Sequence, residues 1–191
     1  MCKACLSSPR VIILASILRR RDQFAEKSVP HLLVKRFLVP SDYSADETWR
    51  LVEWCRGLGA NEFTIDPLGF DTIGKNAARW FERAVRSQRR ETGIRERMSG
   101  PTADALTRAT ELWALNESTV DVLKRALPNG LFEYEPRDGG WFEDPILYRD
   151  GQLMLGVLSH EAFAVLRVSD SEVAQLAAAG FPNHDSLPRI G

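Results

Sequence analysis

The chain has 191 residues, 44% of them hydrophobic and 27% charged, a length that suits one ordinary domain and a composition that excludes both a disordered polypeptide and a multi-span membrane protein. Its formal net charge of −1 conceals a division: residues 1–129 carry 21 basic and 16 acidic side chains, a net of +5, while residues 130–191 carry 4 and 10, a net of −6. Two such parts either neutralise each other in the fold or present opposite charges to partners.

Residues 1–30 read as an N-terminal helical extension that opens at Ser8-Pro9 and lines Val11, Leu14, Ile17 and Leu18 along one side. The apolar run Val11–Leu18 spans eight residues, where a membrane-crossing helix needs about 20, and Arg19, Arg20 and Arg21 follow it. No membrane partner is therefore expected. Residues 31–191 are expected to form a single α+β domain.

In that domain, residues 32–39 are rich in strand formers and stop at Pro40, which cannot donate to a ladder. Ser44 and Glu47 have capping-box spacing and predict a helix over 45–56, with Trp49, Val52 and Cys55 on one side and Gly57 and Gly59 at its end. Phe63-Thr64-Ile65 reads as a strand before Pro67. A long helix is expected from Asp71 to about Arg97, burying Ala77, Trp80, Phe81, Ala84 and Val85, with Gly93 a point of interruption. Pro101-Thr102 predicts another helical segment through Leu115, and Ser118–Asp121 recaps a helix that runs to Leu127.

From Leu131 the period becomes strand-like. Leu131–Glu135, Trp141–Arg149, Gln152–Ser159 and Ala162–Val168 are the expected strands, with Asp150-Gly151 as a tight hairpin turn. That turn sets a register in which Arg149 faces Gln152, Ile146 faces Leu155, Asp144 faces Val157, and Val157 faces Ala164. One face would then hold Asp144, Ile146, Tyr148, Leu153, Leu155, Val157, Ala164, Leu166 and Val168. Ser169 and Glu172 form a second capping box before a short helix through Ala179. The predicted fold is α+β: an N-terminal strand-helix-strand unit, central helices, and a C-terminal antiparallel β-meander closed by a short helix.

Three groups of residues bear on chemistry. The hairpin register brings Glu143, Asp144, His160 and Glu161 to one rim, carboxylates and an imidazole of the types used in acid–base work or for a divalent cation. Lys75, Arg79, Arg83, Arg86, Arg90 and Arg97 recur at spacings that keep them on one face of a helix, a stripe suited to phosphates. Cys2 and Cys5 stand close together, but Cys55, His31, His160 and His184 supply no second close pair, so no metal centre is expected there.

An odd cysteine count fits a reducing, cytoplasmic setting. The sequence contains no phosphate-binding loop, no nucleophile elbow and no His-Glu-x-x-His motif. These readings point to a small cytoplasmic binding or regulatory protein without enzymatic activity or cofactor, acting on another protein or on a second copy of itself. The alternatives are a nucleic-acid-binding protein that uses the arginine-rich helix 75–97, and a small hydrolase or metal-dependent enzyme at the Glu143/Asp144/His160/Glu161 rim.

Overall fold

A computed structural model describes residues 35–68, 72–98, 105–133 and 142–181. The described residues all fall within one compact unit. The helical extension expected over 1–30, the Asp71 cap, and Cys2, Cys5, His31 and His184 all lie outside the described residues.

The chain enters as strand β1 (Lys35–Val39) and turns into helix α1 (Ala45–Gly57). The predicted capping box opens that helix: the Ser44 amide donates to Glu47 Oε2 at 2.8 Å, and the Glu47 amide donates to Ser44 Oγ at 3.3 Å. That bonding holds the exposed Glu47 carboxyl below its ordinary pKa. Trp49, Leu51, Val52 and Cys55 form the buried stripe, and Gly59 takes the φ of +97° that ends the helix. Burial pushes the Cys55 thiol far up, so it is packing material and not a nucleophile.

Strand β2 (Glu62–Pro67) and helix α2 (Thr72–Val85) come next, and here the structure departs from expectation. The helix ends at Val85, a single 3-10 turn follows (Arg86–Gln88), and Gly93–Met98 is strand β3. β3 pairs in antiparallel register with β4 (Ala105–Thr110), where a helix through Leu115 was expected. The physical reason is the end of the apolar stripe. Phe81 and Val85 are buried while Ala84 is exposed, and beyond Val85 no further apolar residue recurs at helical spacing. Strand β5 (Trp113–Ala114) leads to helix α3 (Glu117–Ala126), capped by Asn116 through the Thr119 amide, two residues before the expected Ser118.

The C-terminal part is the predicted meander, without the first expected strand among the described residues. Leu131 and Phe132 form a turn where a strand was expected, and Glu133 accepts from the Asn129 amide at 2.7 Å. Strands β6 (Phe142–Arg149), β7 (Gln152–Leu158) and β8 (Phe163–Val168) follow, and helix α4 (Asp170–Ala178) closes the chain behind the second capping box. Burial pushes the Glu172 carboxyl of that box up, but hydrogen bonds from Arg149 and Ser169 outweigh it and hold the group below its ordinary value.

The main sheet has the order β1-β8-β7-β6-β2-β5, every neighbour antiparallel. β1 and β2 are therefore separated by the whole meander, and α1 carries the chain across it. Phe37, Val39, Phe63, Leu147, Leu155, Val157, Ala164 and Leu166 face the helices in one core. The other face carries a smaller cluster of Leu112, Ile146, Tyr148 and Leu153. Met98 of the β3–β4 ribbon packs against that cluster and over Gly156 of β7, where a Cβ would lie 2.9 Å from Met98 Cγ.

Two bulges correct the expected register. Arg149 faces Gln152 and Val157 faces Ala164 as predicted, but Tyr148 pairs with Leu153 and Leu147 with Leu155, which leaves Met154 as an extra residue. Ile146 and Tyr148 are thereby moved to the face opposite Leu155 and Val157, because side chains alternate with a period of two. The second bulge is on β6: Thr64 pairs with Ile146 and Asp66 with Glu143, so Asp144 and Pro145 stand opposite Ile65 alone. Among the described residues no helix is long and apolar enough to cross a membrane.

Candidate functional site

The second bulge builds the site. Asp144 sits there at φ +51°, a left-handed conformation that Asp tolerates better than most residues, and Pro145 after it has no amide to give the ladder. The twist aims the Asp144 carboxylate at the turn between β7 and β8, where Oδ1 accepts the Ser159 amide at 2.8 Å. In return the Asp144 amide donates to Ser159 Oγ at 3.0 Å, and that hydroxyl donates onward to the Leu131 carbonyl at 3.2 Å. Ser159 is 3% exposed and its hydroxyl is used on both sides, so it is a strut between strands.

This clasp sets the 3-10 turn Ser159–Glu161 against the end of β6. His160 Nδ1 lies 4.0 Å from Glu143 Oε2 and 4.0 Å from Asp144 Oδ1, and its Nε2 lies 3.6 Å from Glu161 Oε1. These separations exceed a hydrogen bond. The structure thus brings together all of Glu143, Asp144, His160 and Glu161. One donor atom each from Glu143, Asp144 and His160 fall within 4.8 Å of one another.

Burial, and then the neighbouring Asp144 charge, push the Glu143 carboxyl above its ordinary value; burial does the same to Asp144 despite the Ser159 amide and His160. A carboxyl raised in the folded state contributes stability in its protonated form, and that contribution is lost as pH rises through the raised pKa. Asp144→Asn keeps an oxygen to accept the Ser159 amide and tolerates positive φ, while it removes the charge. Its stability should match or exceed that of the unsubstituted protein at neutral pH, with the advantage shrinking as pH falls toward the ordinary carboxylate range. Asp144→Ala loses the acceptor and should cost about 1–3 kcal/mol. Urea unfolding across pH checks both, and an Asn variant as damaged as the Ala variant would contradict this origin of the shift.

The basic stripe does not survive as one surface. Lys75, Arg79 and Arg83 are exposed on α2 and Arg86 lies on the 3-10 turn, but the helix has ended before Arg90. Arg97 is on β3, 6% exposed, with Nη1 and Nη2 at 3.0 and 2.5 Å from the two Asp66 oxygens. Arg90 and Arg97 matched helical spacing by coincidence, because alternation of Arg95 and Arg97 fits a strand equally well.

The charge division can also be followed. Among the described residues, Arg56 pairs with Glu53, Arg89 with Glu111, Arg95 with Glu62, and both Arg97 and Arg108 with Asp66, all within the basic part of the chain. Arg149 pairs with Glu172 inside the acidic part, and Arg167 of the acidic part pairs with Glu96 of the basic part. Sequence reasoning missed Asp66, which no motif marked and which the register places directly opposite Glu143. The chain matches no family model, no curated protein and no solved structure.

Proposed function

We propose that this is a non-enzymatic binding protein whose acidic rim, Glu143, Asp144 and Glu161 around His160, engages a positively charged segment of a partner protein. One observation carries the reading: among the described residues Arg56, Arg89, Arg95, Arg97 and Arg108 pair with carboxylates of residues 1–129, and the basic side chain that the rim acids approach is the His160 imidazole. Nucleophilic catalysis by Ser159 or Cys55 is disfavoured because the Ser159 hydroxyl is engaged on both sides and the Cys55 thiol is buried and raised. A cation at the rim would favour the ionised Glu143 carboxylate, which burial and then the Asp144 charge disfavour, so binding and proton release are linked.

A second reading, a divalent metal held by Glu143, Asp144 and His160, is favoured by their converging donor atoms. Donors around a tetrahedral zinc are about 3.3 Å apart, so an ion would have to draw His160 Nδ1, at 4.0 Å from each carboxylate, about 0.7 Å closer to both. Calorimetry separates the two readings. A lysine-rich peptide should bind at low salt, weaken as salt is added, and lose at least tenfold in affinity with Glu143→Gln/Glu161→Gln. Saturable zinc or manganese binding that His160→Ala abolishes, without peptide binding, would replace the first reading by the second.

A further inference from the structure

Helix α2 buries Phe81 and Val85, and Lys75, Arg79 and Arg83 lie on the side opposite them, one per turn and about 6 Å apart along the axis. Arg86 on the 3-10 turn continues the row, so four cations span about 16 Å. All four are exposed, and among the described residues none of them forms an ion pair. Arg83 Nε donates to the Arg79 carbonyl at 3.1 Å, which holds its guanidinium along the row. Residues 72–90 contain six basic side chains, these four with Arg89 and Arg90, against the single acid Glu82. Glu111 takes up Arg89, which leaves five cations against one carboxylate, a surplus of four. The neighbouring elements do not cancel it. On α3, Glu117 and Asp121 are equalled in number by Lys124 and Arg125, and on the β2 side Asp66 already holds Arg97 and Arg108.

We propose that this face of α2 docks on the phosphodiester backbone of a nucleic acid, without regard to base sequence. It is a surface additional to the acidic rim and is carried on a different element. A polymer whose charge repeats along its length can meet the whole row at once, and each contact releases a counterion. Three of the four cations are arginines, whose planar forks match phosphate oxygens in pairs. An anionic lipid surface is disfavoured, because a helix that lies on a membrane inserts apolar side chains, and α2 keeps Phe81 and Val85 in the core. Bases are not read here. The half-buried Trp80 of α2 is covered by the Arg125 guanidinium, 4.9 Å from the ring centroid, and is not open for stacking.

Fluorescence anisotropy with the full chain tests the assignment, using a labelled duplex and a single strand of about 20 nucleotides across a salt series. Binding should be saturable at low salt and unchanged when the base sequence is shuffled. Four phosphate contacts predict a slope of log affinity against log salt of about −3.6 on the duplex and about −2.8 on the single strand, which tells the two forms apart. Arg79→Gln/Arg83→Gln, at exposed positions, should weaken binding at least about tenfold and flatten the slope by about 2, whereas Arg56→Gln on α1 should change affinity by less than about twofold. Polyglutamate of similar length, the probe for an acidic protein partner, should bind at least about tenfold more weakly than either nucleic acid. No saturable binding at low salt, indifference to Arg79→Gln/Arg83→Gln, or equal binding of polyglutamate would overturn the proposal.

Discussion

Phe63→Ala is expected to destabilise the domain by about 3–5 kcal/mol. Phe63 is fully buried on β2, where its ring lies 5.7 Å from Trp113 and 6.3 Å from Phe81 between centroids. The cost of such a truncation depends on whether neighbours collapse into the space. Here they are held: Trp113 by its register with Phe63 on the edge strand, Phe81 by its contacts with Trp113 and Phe142, and Leu147 by the β2–β6 ladder. The cavity should persist and the loss should fall toward the upper end. Domains of this kind are stable by about 5–15 kcal/mol, so a third or more of the total is at stake. Chemical denaturation measures it directly, and a loss under about 1 kcal/mol would mean that the aromatic cluster does not organise this end of the core.

Arg97→Ala carries the next largest effect. Its guanidinium is buried against Asp66 on the sheet face that the β3–β4 ribbon covers. Removing one member of a buried pair leaves the other charge without compensation, which costs about 3–5 kcal/mol when the survivor is fully buried. Asp66 is 35% exposed and keeps Arg108, so about 2–3 kcal/mol is expected instead. The reversal is the more informative half of the test. With Asp66→Leu added, the uncompensated carboxylate is gone, and stability should recover by more than about 1 kcal/mol over Arg97→Ala alone. Absence of recovery would show that Arg97 acts by packing its aliphatic stem and not through its charge.

The parts of this fold legible in the sequence are those set by local chemistry. Ser44 and Glu47, then Ser169 and Glu172, form the boxes their spacing required, and Asp150-Gly151 turns the hairpin. Where sequence reasoning failed, the deciding contacts were distant. The long helix was expected to run on from the Asp71 cap and the apolar side Ala77–Val85 to about Arg97, yet β3 is a strand because it pairs with the distant β4. The two bulges have no marker in an alternating pattern, and each shifts every later side chain to the other face. The rim was legible because its four residues sit at strand ends, and the β7–β8 register that joins them is tied to a turn. Asp66 was not, since only the β2–β6 pairing brings it opposite Glu143.

The acidic rim as a binding surface is tested most directly by mapping where a cationic peptide touches the protein. In a ¹⁵N titration with a lysine-rich peptide at low salt, the amides of Glu143, Asp144, His160 and Glu161 should show the largest saturable shifts. Those shifts should disappear with Glu143→Gln/Glu161→Gln while the rest of the spectrum is unchanged. Saturable shifts centred on any other surface, or no shifts at the rim, would contradict the account.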